Sequence, residues 1–208
     1  MPGKCNFIGS EKMIHNVLFI GVGGEGVLSA SVVLARAANL DGFEVRGTQL
    51  HGLAQRGGSV PIHLRFGNKV HSPTIPRAQA DLIIGLEPIE AMRACYFAER
   101  KRTNFVVDAF PIVPIYARLN KQEYPEMKGI GKMLKPFAKK IIMADASDIC
   151  EKELGNPVYG NIVMLGIALS NKMLPISRKS IIAALKETFP KDYENNIKAL
   201  EMGLEWEK

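Results

Sequence analysis

The residues best suited to chemistry lie near the start of the chain, in Gly21-Val22-Gly23-Gly24-Glu25-Gly26. Glycines let a backbone turn tightly and approach a ligand closely. Gly21, Gly23 and Gly26 satisfy G-x-G-x-x-G, a spacing that binds phosphate when it joins a strand to a helix. The flanks supply that context. Val17-Leu18-Phe19-Ile20 is an apolar run without alternation, as expected of a parallel strand buried on both faces. Val27, Ala30, Leu34 and Ala37 recur at helical spacing and predict a helix packed on the sheet. The front of such a helix offers unpaired N–H groups and the positive end of its dipole to an anion. A glycine turn required only for helix-on-strand packing would explain the same residues. The dinucleotide fingerprint is also half complete, because it wants a carboxylate at the end of the second strand. The predicted strand 43–49 ends in Thr48 and Gln49, and its Glu44 stands near the start.

A second candidate follows that strand, where open α/β sheets place their ligands. In Gln49-Leu50-His51-Gly52-Leu53-Ala54-Gln55-Arg56-Gly57-Gly58-Ser59, three polar side chains, His51, Gln55 and Arg56, crowd the paired glycines. Arg56 and the neighbouring N–H groups can take an anion or a partner chain; a simple bend with Arg56 in a surface pair is the plainer alternative. Glu87 is a third candidate. It falls between the buried strand 80–86 and a helix opened by Pro88, so it reads equally as a site carboxylate or as a dipole-favoured cap. Asp108 ends the next strand, 104–108, in the same position of the pattern.

No catalytic set accompanies these residues. There is no G-x-S-x-G elbow and no metal-ligand spacing, and Glu25-Gly26-Val27 stands where a P-loop would have its lysine. Cys5, Cys95 and Cys150 are odd in number and far apart, which argues against a disulfide framework and against zinc or iron–sulfur binding within this chain. The residues therefore describe an anion-binding chain with a protein partner rather than a complete enzyme.

The elements that must position the loop alternate in type. After the first helix, closed by Asp41-Gly42 with a left-handed cap, and the strand 43–49, a half-exposed β-hairpin is predicted. Residues 60–66 alternate, Gly67-Asn68 turns, and residues 69–72 continue extended. Pro61 suggests an edge position, and His63 and His71 read as exposed. Strands 80–86, 104–108 and 140–144 follow, with residues 111–136 as loop and short helical pieces that could cover the site. The end of the chain is helical. Residues 162–169 are apolar all round and belong in a core or a subunit interface. Ser177 caps a helix bearing Ile181, Ile182, Leu185 and Phe189, and the last helix shows Tyr193, Ile197, Leu200 and Leu204 on one face. The expected fold is α/β: a Rossmann-like, mostly parallel sheet with an inserted β-hairpin and a helical C-terminal part. Residues 1–13 read as a loose arm and 14–208 as one domain.

Bulk properties narrow the function classes. The chain has 208 residues, 47% of them apolar, and a net charge of +6. No run approaches a membrane span, residues 1–11 lack the pattern of a signal peptide, and a cytoplasmic, non-membrane protein is expected. Arg100-Lys101-Arg102 and Lys139-Lys140 read as solvated faces rather than a nucleic-acid stripe, although the basic excess favours an acidic partner or an anionic ligand.

The glycine loop through Leu28, the stretch Leu50–Val60, His71-Ser72-Pro73-Thr74-Ile75-Pro76, residues 80–88, and Gly155-Asn156 with residues 161–166 together resemble the gamma-type subunit of 2-oxoacid:ferredoxin oxidoreductases, above all the small subunit of the indolepyruvate enzymes. The resemblance runs over about residues 15–205, so that 14–208 would be one gamma-type domain. It implies a subunit that is inactive alone and assists coenzyme A-dependent oxidative decarboxylation. Thiamine diphosphate and iron–sulfur clusters would belong to a large partner subunit, and electrons would pass to ferredoxin. Coenzyme A would lie at this chain, with Gly21, Gly23, Gly24, Glu25, Gly26, Val27, Gly57, Gly58 and Glu87 as binding residues and His51, Gln55 and Arg56 at the partner junction. Whether the isolated chain pairs with a second copy is left open. A stand-alone Rossmann-type nucleotide or flavin protein, or a non-catalytic coenzyme A module, are the alternatives. One residue departs from the family pattern: Glu25 stands where glutamine is usual, and a carboxylate facing a phosphate repels it. Three outcomes follow: Glu25 points away, the loop binds differently, or binding is weakened.

Overall fold

A computed structural model describes residues 14–49, 58–113 and 123–206. Six strands form one sheet: β1 (Ile14–Val22), β2 (Glu44–Gln49), β3 (Ser59–Gly67), β4 (Leu82–Gly85), β5 (Asn104–Asp108) and β6 (Lys140–Ala144). Seven α-helices lie among the described residues: α1 (Val27–Leu40), α2 (Pro88–Arg93), α3 (Met127–Leu134), α4 (Ala146–Leu154), α5 (Gly160–Ser170), α6 (Arg178–Thr188) and α7 (Tyr193–Leu204).

The sheet order is β2-β3-β1-β4-β5-β6. β1, β4, β5 and β6 run parallel, while β3 is antiparallel to both β1 and β2. The apolar runs work as expected of doubly covered strands, since successive side chains point to opposite faces. Val17 and Phe19 of β1, with Leu82 and Ile84 of β4 and Val106 of β5, face the layer of α1, α5, α6 and α7. Leu18, Ile20, Ile83, Phe105 and Val107 face the layer of α2 and α3.

Three expectations need correction. The hairpin pairs β2 with β3, and residues 69–72 form no strand. Their polar groups are taken instead by side chains: Arg65 donates to the carbonyls of Ser72 at 2.7 Å and Thr74 at 3.3 Å, and Val70 N–H donates to Glu44 at 3.3 Å. Pro61 is therefore on an interior strand, not an edge; it pairs with Ile20, one residue past the end of the β2 ladder at Gln49–Ile62. His63 is 1% exposed rather than exposed. Its Nδ1 accepts from Ile75 N–H at 3.2 Å, Phe97 packs edge-on at 4.9 Å, and burial holds its pKa below the ordinary value.

The C-terminal helices follow the sequence with one rotation. α5 is buried from Gly160 to Ala168, which assigns its apolar surface to the core. Ser177 Oγ accepts from Ser180 N–H at 3.1 Å, as a cap should. α7, however, buries Asn196, Ala199, Leu200 and Gly203, while Tyr193, Ile197 and Leu204 are half-buried at the margin. Glycine decides the face. A Cβ on Gly203 would stand 2.1 Å from Val163 O, and one on Gly166 would stand 2.6 Å from Leu200 O. α5 and α7 meet backbone to backbone there.

Candidate functional site

The parallel strands all end on one side of the sheet, and the glycine loop stands there between β1 and α1. Gly21 ends in a crowded place: a Cβ would stand 2.7 Å from Glu25 Oε2 and 3.0 Å from Leu86 and Val27. Gly24 and Gly26 have φ of +117° and +75°, values that side chains oppose. Gly26 would also place a Cβ 2.1 Å from Asn161 Nδ2, which donates to Gly26 O at 3.1 Å. Asn161, at the front of α5, thus holds the loop down. The second glycine segment meets the first, since Gly23 N–H donates to Gly58 O at 3.0 Å.

α1 begins at Val27 with no side-chain cap from Gly26. The first bond of the helix is Ala30 N–H to Gly26 O at 3.1 Å, so the N–H groups of Val27, Leu28 and Ser29 have no acceptor among the described residues. The Val27 side chain is in the core. A cavity of about 360 Å³ adjoins the loop. Val22, Gly23, Gly24 and Glu25 form one wall; Leu86, Phe110, Ile112, Pro157 and Val158 form the apolar remainder, with Ser147, Asn156 and Asn161 as polar points. No lysine or arginine lines it among the described residues.

Glu25 turns back on its own strand. Its Oε2 accepts from Val22 N–H while the side chain still forms part of the cavity wall. Burial pushes its pKa up to about 8; Glu87, Asp108 and Glu90 push the same way, against the Val22 N–H. At neutral pH the group is therefore mostly neutral. This is none of the three outcomes set out above: a neutral carboxyl stays at the cavity wall with most of its repulsion toward an anion removed.

The other acids are committed structurally. Glu87, 2% exposed, caps α2 by accepting from Glu90 N–H at 2.9 Å and takes a second bond from the Tyr124 hydroxyl; it does not line the cavity. Glu90 accepts from Ser59 Oγ and pairs with Arg93 at 3.2 Å. Asp108 accepts from Ser147 N–H at 3.1 Å and Ser147 Oγ at 2.6 Å, so it caps α4 from the neighbouring strand. Its Oδ1 has no partner among the described residues, and burial pushes its pKa up to about 6. Burial likewise pushes the Cys95 and Cys150 thiols up, to about 11 and about 12, which leaves neither a ready nucleophile. Among the described residues no group of side chains could hold a metal ion, and no helix is long and apolar enough to cross a membrane.

The structure thus gathers Gly21, Gly23, Gly24, Glu25, Gly26 and Gly58, with the Val27 backbone, in one place. Glu87 lies close by as a cap. Gly57, His51, Gln55 and Arg56 fall outside the described residues. Reading the residues one by one misses Asn161 as the loop's anchor and the cavity walls Leu86, Phe110 and Val158. A lone asparagine opening a wholly apolar helix was the available signal for the first; the second had none. The topology also weakens a dinucleotide reading. β3 lies between β1 and β2, so the second strand stands two strand spacings, about 10 Å, from β1 rather than one.

Comparison with known proteins bears on this arrangement. Residues 16–206 match the family described as pyruvate ferredoxin/flavodoxin oxidoreductase. The indolepyruvate oxidoreductase subunit IorB of Archaeoglobus fulgidus is 37% identical over 189 residues, covering 90% of this chain and 92% of its own. That of Thermococcus kodakarensis is 32% identical over 192 residues, covering 91% and 94%. Among solved structures, the gamma subunit of a keto/oxoacid ferredoxin oxidoreductase from Geobacter sulfurreducens superposes with a TM-score of 0.65 at 22% identity, over 92% of this chain and 96% of that one. A 2-oxoglutarate:ferredoxin oxidoreductase from Magnetococcus marinus, solved with 2-oxoglutarate, coenzyme A and succinyl-CoA bound, superposes at 0.69 and 18% identity, over 93% of this chain and 31% of that one. The chain belongs to the pyruvate ferredoxin/flavodoxin oxidoreductase family, as a small, IorB-like subunit of a 2-oxoacid ferredoxin oxidoreductase.

Proposed function

We propose that the chain binds coenzyme A at the glycine loop and completes the active site of a larger subunit that carries thiamine diphosphate and iron–sulfur clusters. The substrate is an aryl pyruvate, indolepyruvate foremost, which is oxidatively decarboxylated with electrons passed to ferredoxin. One observation supports this above others: the loop that leads into the uncapped front of α1 walls, with Val22–Glu25, a cavity of about 360 Å³, within the size range of small-molecule sites. Coenzyme A suits it chemically. Backbone dipoles favour the pyrophosphate, and Leu86, Phe110, Ile112 and Val158 suit the less polar arm. Neutral Glu25 removes a repulsion of ~1 kcal/mol at 4 Å in water-like screening. Among the described residues the cavity has no cation, and the remaining countercharge is assigned to Arg56, two residues before Gly58, which with His51 and Gln55 is also assigned to the partner junction. The relatives named above support the assembly and the substrate by their names, and the Magnetococcus marinus structure supports coenzyme A by its contents.

When bound in the partner, thiamine diphosphate supplies the carbanion chemistry of decarboxylation. This chain's share is to hold the acceptor thiol's carrier and exclude water. The test is anaerobic co-expression with the large subunit, then ferredoxin reduction by indolepyruvate with and without coenzyme A. The reading expects a stable complex with coenzyme A-dependent turnover. A chain that never associates, or turnover indifferent to coenzyme A, would end it.

A further inference from the structure

We propose that the end of the sheet opposite the glycine loop is a docking surface for an acidic protein. Two basic clusters that are distant in sequence converge there. β5 and β6 are parallel neighbours, so the segments preceding Asn104 and Lys140 emerge side by side, tied by Lys139 N–H donating to Thr103 O at 2.7 Å. With Lys135 from the turn after α3, they form an open cleft of about 480 Å³ lined by Arg100, Lys101, Lys135, Lys139 and Lys140 over Gly131. All five cationic residues are exposed, and none forms an ion pair among the described residues. Lys140 Nζ donates to Asn171 Oδ1 at 2.6 Å, and the Glu99 carboxylate accepts from Lys101 N–H at 3.0 Å. Arg102 is excluded from the set, because it is bound to Asp81 at 2.8 Å.

Unpaired like charges this close repel one another, and an opposite surface relieves that repulsion. The kind of surface follows from the construction. A site for a small polyanion would converge buried donors on one point, whereas these cations stand on long exposed stems and no buried polar side chain lines the cleft. Met133 and Phe137, 47% and 42% exposed, lie on the same segment 127–137. Spread cations beside exposed apolar side chains fit a protein face bearing carboxylates.

The test uses the full chain and fluorescein-labelled poly-L-glutamate, followed by anisotropy at low and moderate salt. Wild type binds, more weakly as salt screens the charges. Lys135→Glu with Lys139→Glu lowers the affinity about tenfold or more, whereas Lys152→Glu with Lys198→Glu, an equal change in net charge on α4 and α7, lowers it less than about twofold. Equal losses in both pairs would overturn the proposal by showing attraction to net charge alone. Absence of wild-type binding would also overturn it, as would displacement of the peptide by tripolyphosphate or oligothymidylate at lower charge concentration, which would reassign the cleft to phosphate.

Discussion

Glu25 shows how position sets chemistry at the scale of a residue. The same side chain would repel an anion if solvated, yet burial and three neighbouring carboxylates keep it protonated to about pH 8. The stability consequence follows by linkage. A carboxyl whose pKa is raised on folding binds more protons folded than unfolded, so it costs stability as pH rises through the interval between the two values. For Glu25 that interval runs from the ordinary 4.5 to about 8, and for Asp108 from 3.8 to about 6. Thermal unfolding between pH 5 and 8 is therefore predicted to show wild type losing stability and Glu25→Gln losing distinctly less. Parallel slopes would mean that Glu25 is ionised throughout. The same variant should hold coenzyme A with at least wild-type affinity at pH 7 and with a clear advantage above pH 8, measured by calorimetry on the complex. A loss of affinity at both pH values would assign the carboxyl a role in binding that the Val22 bond does not suggest.

Elements in this fold are fixed by a few close approaches. Gly203→Ala forces α7 off α5, and chemical denaturation should show a loss of about 1–3 kcal/mol, the usual cost of overpacking. Asp108→Ala removes the cap that β5 gives α4 and should cost about 1–2 kcal/mol; no change in either variant would refute the packing argument. These approaches also explain what could be read beforehand. The apolar runs of β1, β4 and β5 and the Ser177 cap depend on local pattern, so they were legible. His63 and Pro61 were not. Their environment is set by β2 and by the connection 69–76, held by Arg65 and Glu44 from a distance in sequence. The apolar face of α7 was legible, since Tyr193, Ile197, Leu200 and Leu204 all pack on the core, but the deepest stripe was not: two glycines allow a closer contact beside it.

At the scale of the whole molecule, sheet polarity separates two surfaces. The carboxyl ends of β1, β4 and β5 collect the glycine loop, its cavity and the buried acids; the amino ends of β5 and β6 collect unpaired cations. The loop was legible in the sequence because glycine spacing before a helix has few uses. The cavity was not, because Phe110, Val158 and Asn161 reach it only through the sheet order and the packing of α5. The proposal that this cavity holds coenzyme A has a direct test. Val158→Trp fills it from the half-buried turn before α5, where the Val158 side chain borders Gly26 of the loop. Calorimetry of coenzyme A binding to the assembled complex should show affinity reduced about tenfold or more, with the complex still forming. Unchanged affinity in a complex that assembles normally would contradict the claim.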